Sequence, residues 1–569
     1  MNKVLKGLVA VVSAAAMAIA GFAGASTAMA DTPAKTDITI SDAVNGDEFS
    51  AYRLLDLTTS TEGETTNYSY TVNDKYQTVL KSAIDELNGD AAAPTTDAEI
   101  IDYITKNVVS NSSPDAATKV TARKFAETVR TKIAADSTII ADSTTSKTES
   151  QNAQFTSVAQ GYYLIVQTAA ASTDGKTMSQ VILDTHGQTA TTVTVKKDTV
   201  SLTKKVQENQ DGVNNPVADN WQDGADYNIG DKVPFQLTGT LPTDYGNYNA
   251  YKYVFHDSAS SGLTFNFSEA ELKVYAVNSG TRTELKEATD ASDKTGYNVI
   301  TSGLTGETFQ VQFTDLKKAQ AANLAGTVTI NKDTKIVVEY KAELNKNAKR
   351  GATGNPNEAW LEFSNNQYNT GEGSPTGNTP HDTVIVFTFD IVVNKYKNQV
   401  DEQHKLNNAG FTLYKSTDGS AWGDPVQELK NDSNNTNVFQ FTGLDSGYYK
   451  IVESKVPDGF TKADDLIFKV VATYDTDSAD PSLTKLEVKD ASDNVISTGE
   501  NAKFTLTGIN YDGSTSANAQ INTDIVNKSG SQLPSTGGMG TKILYAAGAA
   551  IVLVAAFGIV FAVRRRNAR

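Results

Sequence analysis

Two stretches of this chain share a pattern and differ in one chemically decisive residue. Gly161–Gln167 is GYYLIVQ and Gly447–Glu453 is GYYKIVE, so the same glycine, tyrosine pair and apolar alternation end once in an amide and once in an acid. Side chains alternate along a strand, which puts Tyr449, Ile451 and Glu453 on one face. By the same parity Lys395 joins Phe389, Ile391 and Val393 in FDIVVNKYK, and Asn527 joins Ile521 and Ile525 in INTDIVN. Taken out of water together, such groups are reactive. A low dielectric favours the neutral lysine amine, a nucleophile, and the protonated carboxyl, a proton donor to a carboxamide.

A second set has the same logic. Tyr253, Phe255 and Asp257 supply an acid on an inward register, and Leu202, Lys204 and Val206 alternate inward, leaving Lys205 outside. Asn357, Ala359, Leu361 and Phe363 do the same, so Asn357 is preferred to Asn365 and to Asn355, which precedes Pro356 and is expected in a loop. The competing role for Asp257 is to start the turn DSASSG. Near the N-terminus the acid station is Gln167, an amide that donates hydrogen bonds but does not shuttle protons. The expected last strand there, TATTVTVKK, contains no asparagine, so no triad is expected before Lys197.

The elements that position these residues divide the chain. Within 31–197, strand patterns at DITI, GYYLIVQ and TVTV flank two helical patterns: Leu80, Ala83, Ile84 and Leu87 closed by Gly89, and Ala122, Phe125, Ala126, Val129 and Ile133. From Asp198 short alternating runs, among them KVPFQLTGTL, FQVQF, TKIVVEYKAEL and AWLEFS, are separated by Gly, Asn, Asp and Pro, the pattern of an antiparallel sandwich. A second series runs from FDIVV through FTLYK, NVFQFTGL and KFTLTGI. The expectation is a mainly β chain of tandem immunoglobulin-like β-sandwiches, the first with inserted helices, with domains at 31–197, 198–390 and 391–528.

The termini set the compartment. Residues 1–30 carry Lys3 and Lys6, an apolar run and Ala28-Met29-Ala30, a secretory signal peptide. Ile543–Val563 is 21 residues without a charge and is followed by Arg564, Arg565 and Arg566, a membrane segment with a cytoplasmic tail. Between them the formal charge changes from −17 for the whole chain to −24 for 31–536, since the termini hold seven cations and no acids. Such an acidic exported surface excludes nucleic acid as a partner. The absence of cysteine excludes disulfides and thiolate metal sites. His186, His256, His381 and His404 lack ligand spacing, and Asp475 and Asp477 lack the glycine and distal glutamate of a calcium loop, so no metal or cofactor is expected. No convergent His, Asp or Ser pocket suggests an enzyme that turns over.

Leu533-Pro534-Ser535-Thr536-Gly537, followed by the apolar span and arginine tail, resembles the cell-wall sorting signal of Gram-positive bacteria. GYYKIVESKVPDGF resembles the glutamate-bearing strand of pilin and collagen-adhesin B-type (CnaB-like) domains, and the middle domain resembles the A-type (CnaA-like) version. The resemblance implies a sortase that cleaves after Thr536 and holds an acyl-enzyme until an amine resolves it. It also implies spontaneous isopeptide bonds, Lys395 to Asn527 promoted by Glu453 and Lys204 to Asn357 promoted by Asp257. Backbone pilins carry an acceptor lysine in a motif resembling V-Y-P-K-N. Val195-Lys196-Lys197-Asp198 fits with the tyrosine and proline missing, which selects Lys197, although strand parity favours Lys196. The family implication is the major shaft subunit of a sortase-assembled, cell-wall-anchored pilus supporting adhesion. Its expected partners are sortase, further copies of itself, accessory pilins, peptidoglycan and a host-surface receptor. The rival is a monomeric wall-anchored adhesin of the same domains, which leaves Lys197 unused.

Overall fold

The computed structural model describes residues 34–566 apart from 63–64, 90–91, 112, 170–173, 179, 195–197, 210–219, 268–270, 324–325, 327, 368–373, 431–435, 501, 510–514 and 530–538. The expected signal peptide, residues 1–30, lies outside the described residues.

The first domain contains β1 (Lys35–Ile40), β2 (Glu48–Glu62), β3 (Gln154–Ala159), β4 (Gly161–Ala169) and β5 (Ala190–Val193). β1 runs parallel to β5 and antiparallel to β3, and β2 pairs with β4 with Phe49 opposite Gln167. Three helices are inserted between β2 and β3: α1 (Gln77–Leu87), α2 (Asp97–Asn107) and α3 (Ala122–Ala135). α1 buries Leu80, Ala83 and Ile84, and Gly89 beyond it has φ +61°, a left-handed turn that glycine adopts without a Cβ clash. α3 starts at Thr121, whose side chain accepts from the Lys124 amide, and buries Phe125, Ala126, Val129 and Ile133. α2 was not expected. Only Ile100, Tyr103 and Ile104 mark its buried face, while a capping box between Thr96 and Glu99 fixes its start.

The middle domain is a sandwich of two mostly antiparallel sheets. It contains β6 (Leu202–Gln207), β7 (Gly224–Asp226), β8 (Lys232–Gly239), β9 (Tyr253–Ala259), β10 (Lys335–Leu344), β11 (Asn355–Ser364) and β12 (Asp382–Phe387). β6, β8 and β10 lie side by side in one sheet, and β7, β12, β11 and β9 in the other. Their inner faces enclose one core that includes Phe235, Leu237, Val338, Phe255, Leu361 and Phe363. Burial of each such side chain contributes about 2 kcal/mol.

The third domain contains β13 (Phe389–Lys397), β14 (Gly410–Ser416), β15 (Val438–Leu444), β16 (Gly447–Lys455), β17 (Leu466–Tyr474) and β18 (Thr515–Asn527). β13 lies parallel to β18 and antiparallel to β15, while β14, β16 and β17 form the facing sheet. The domain change is expected at 390–391. Phe389 already pairs with Leu444 in the third domain, and the single residue between β12 and β13, buried Thr388, donates its hydroxyl to the Leu444 carbonyl. At the C-terminus α4 (Met539–Arg566) includes Ile543–Arg566, 24 residues whose most apolar 18-residue stretch has a mean hydropathy of 2.6, long and apolar enough to cross a membrane.

Candidate functional site: two buried lysine, acid and asparagine triads

In the third domain β13, β16 and β18 bring Lys395, Glu453 and Asn527 together, all buried. The Lys395 ammonium donates to Asn527 Oδ1 at very short range and lies 3.4 Å from Glu453 Oε1. Asn527 Nδ2 donates to the same Oε1 at 2.8 Å, and Glu453 Oε2 accepts the Ala463 amide at 2.9 Å. One carboxylate thus touches both the amine and the leaving nitrogen. The ring of Phe411 lies 5.8 Å from Lys395 Nζ and walls the site. Burial pulls the Lys395 pKa down to about 8, the direction that frees its lone pair, against the opposing pull of Glu453.

The middle domain has a different construction. Lys204 of β6 and Asp257 of β9 come from opposite sheets and meet at 2.5 Å, both fully buried. Burial lowers the lysine pKa and raises that of the aspartate, each despite the attraction of the other. Asn357 of β11 faces the same point. The hub is a residue that the sequence analysis did not single out, Tyr340 of β10: its hydroxyl accepts from Lys204 Nζ at 3.0 Å and from Asn357 Nδ2 at 3.2 Å, and donates to Asp257 Oδ2 at 2.5 Å. Asn357 Oδ1 and Asp257 Oδ1 are buried without donors among the described residues, a need that a proton on Asp257 would meet. Asn355 is not in a loop. It opens β11, fully buried, and its amide holds the Lys349 backbone and the Val386 carbonyl, so it is engaged structurally.

The first domain repeats the frame of the third without the reactants. Phe49 opposes Gln167 as Phe411 opposes Glu453. Gln167 is fully buried, its Nε2 donating to Asp47 Oδ1 at 2.9 Å. The inward residues of β1 are Thr36, Ile38 and Ile40, and β5 buries Val193. Neither strand therefore offers an inward lysine or asparagine. Lys196 and Lys197, and the sorting residues Leu533, Pro534, Ser535, Thr536 and Gly537, lie outside the described residues.

Comparison with known proteins decides the class. Residues 525–568 match the family described as the LPXTG cell wall anchor motif, and residues 391–485 match the prealbumin-like fold domain. The chain is a cell-wall-anchored surface protein with a prealbumin-like domain. This wall-anchored protein is 26% identical over 473 residues to the trypsin-resistant surface T6 protein of Streptococcus pyogenes serotype M6, covering 72% of its own length and 80% of that relative. Among solved structures it is similar to the T6 backbone pilin of the same serotype, with a TM-score of 0.47 at 19% identity, covering 88% of this chain and 99% of that one. The major pilin SpaA of Corynebacterium diphtheriae gives 0.42 at 13%, covering 87% and 100%.

Proposed function

We propose that this chain is the shaft subunit of a covalent surface pilus, that sortase joins Thr536 of one copy to Lys197 of the next, with Lys196 the alternative acceptor, and that two internal isopeptide bonds brace each copy. In the third domain Lys395 Nζ attacks Asn527 Cγ, Glu453 moves the proton from the amine to the departing nitrogen, and ammonia leaves. Asp257 does the same for Lys204 and Asn357. Each reaction happens once per molecule, so these are self-modifying sites and the chain is a structural polymer rather than an enzyme. Accessory pilins, peptidoglycan at the fibre base and a host-surface receptor complete the partners of this reading.

The observation that carries it is the contact of Glu453 Oε1 with both Lys395 Nζ and Asn527 Nδ2 in a water-excluded core. The test is the intact mass of residues 31–532 made without sortase: two bonds remove about 17 Da each, and Glu453→Ala restores one of them. An unmodified mass sinks the chemistry. The fibre is tested separately, by the loss of the high-mass ladder from wall extracts in Lys197→Ala or Lys196→Ala. A ladder that survives in both, and in the double variant, leaves a wall-anchored monomer.

A further inference from the structure

The joint between the middle and third domains contains charge that neither triad uses. Glu208, just beyond β6, and Asp226, at the end of β7, come from the middle domain; Asp445, in the turn between β15 and β16, comes from the third, and each is at most 1% exposed. The elements packed around them bring one cation, Lys415 of β14, whose Nζ lies 3.0 Å from Asp445 Oδ2. That oxygen also accepts Asn209 Nδ2 at 2.7 Å. Asp226 accepts the Ser446 amide at 3.2 Å and the Ser446 hydroxyl at 3.0 Å across the joint, and Glu208 accepts the Asp226 amide at 3.0 Å and the Tyr474 hydroxyl.

This leaves Asp445 Oδ1 buried with no donor among the described residues, and Asp445 close enough across the joint for its charge to add to burial in raising the pKa of Asp226. Three buried acids against the one lysine that the described residues bring leave negative charge unmatched in a medium that penalises it. We propose that Asp226 and Asp445 share one proton across this joint, so that the two domains are locked together in mild acid and released as the pH rises.

Burial raises both acids, Asp445 to about 6, against the lowering pull of Lys415. The undocked carboxyls, in water, titrate near 3.8. A group whose pKa is raised by docking stabilises the docked state below its free value, and that stability is lost as pH climbs through the docked value. The release therefore begins near pH 4 and continues past 6. Because only Thr388 separates β12 from β13, a released joint would become the bend between two internally braced domains.

The reporter is the Ile229 amide, which donates to the Gly443 carbonyl across the joint at 2.9 Å and touches none of the acids. Its hydrogen exchange in the soluble chain, corrected for intrinsic rate and referred to the Phe255 amide inside the middle domain, should lose at least about tenfold of its protection between roughly pH 4.5 and 7.5. Asp226→Asn, whose amide donates to Asp445 at every pH, should abolish the dependence, and Asp445→Asn should do so independently. Flat protection in the unaltered chain overturns the proposal, as does a slope that survives in Asp226→Asn. Should both variants lose the joint altogether, carbon-13 titration of the unaltered carboxyls decides: coupled shifts for Asp226 and Asp445 above about pH 5 support the shared proton, and ordinary carboxyl titration overturns it.

Discussion

The first and third domains set the same strands around different centres. In both, a first strand runs parallel to the last, and a GYY strand carries its terminal polar residue opposite a phenylalanine, Gln167 against Phe49 and Glu453 against Phe411. Where the third domain has Lys395 and Asn527, the first has an inward strand ending at Ile40 and a last strand buried only through Val193. The difference teaches that the sandwich does not need the bond. Apolar burial and main-chain pairing build the frame in either case, and the frame holds an amide as readily as an acid once Asp47 gives it a partner. On the proposed fibre route tension enters at Lys197 and leaves at Thr536, so the first domain lies outside the load, and the proposed bonds fall in the two domains that bear it.

The largest effect expected from breaking this comparison comes from Glu453→Gln, which gives the third domain the residue of the first. The amide cannot move the proton, so the chain regains about 17 Da and the Lys395 to Asn527 closure is lost. By the loop-entropy argument used for disulfides, a staple across a separation of 132 residues is worth about 5 kcal/mol. Calorimetry should show the third-domain transition falling while the first-domain transition stays in place. A variant that keeps the mass deficit shows that the glutamate is not the proton carrier.

The converse substitution, Gln167→Glu, comes next. It supplies the acid but no lysine or asparagine, so no mass is lost. It also sets a second carboxyl against Asp47 in a buried site, which costs about 3 kcal/mol at neutral pH. Both carboxyls are then raised above their free values, so the loss is small in acid and grows as the pH rises through those raised values. Denaturant unfolding at two pH values measures it. A new deficit of about 17 Da within 31–197 would mean that the acid alone separates the two domains.

Much of this was legible because a strand period of two sorts residues into inside and outside with no knowledge of the fold. Lys204, Asp257, Asn357, Lys395, Glu453 and Asn527 all lie buried on the parity that their apolar neighbours imply. What parity cannot see is which inward residue from a distant strand completes a site. Tyr340 shares its register with Ile336, Val338 and Ala342, so from sequence it belongs to the core, and only the approach of β10 to β6 makes its hydroxyl a hub. Asn355 was misplaced because the following proline suggests a loop, whereas Pro356 occupies a strand whose neighbour does not require its missing N–H at that point. Lys205 does point away from the core, yet it is paired with Asp223 and with Asp477 of the third domain, a partner that no local pattern announces.

Tyr340→Phe sharpens the contrast between the two reactive sites with a smaller stability effect. Removal of the hydroxyl takes one of the two donors from Asp257 Oδ2, leaving Lys204, and leaves Asn357 Nδ2 without its acceptor, at about 1–3 kcal/mol before the bond forms. The third domain has no such hydroxyl in its triad and should be untouched. Mass measured against time after refolding should then show one bond closing at its normal rate and the other slowed, by roughly a hundredfold if Tyr340 relays the proton. Equal rates would reduce the tyrosine to packing.

The smallest effect is in the pH dependence of closure itself. Attack requires the neutral amine, and burial brings Lys395 to about 8, so closure in newly refolded chain should accelerate as the pH rises to about 8 and then level off. Lys204 is wholly enclosed and paired with an acid that burial also raises, so amine and carboxyl can exchange their proton without drawing on the solvent. Closure in the middle domain should therefore change little over the same range. A parallel pH profile for both bonds would show that access of solvent to the proton, rather than the architecture of each triad, governs the two reactions.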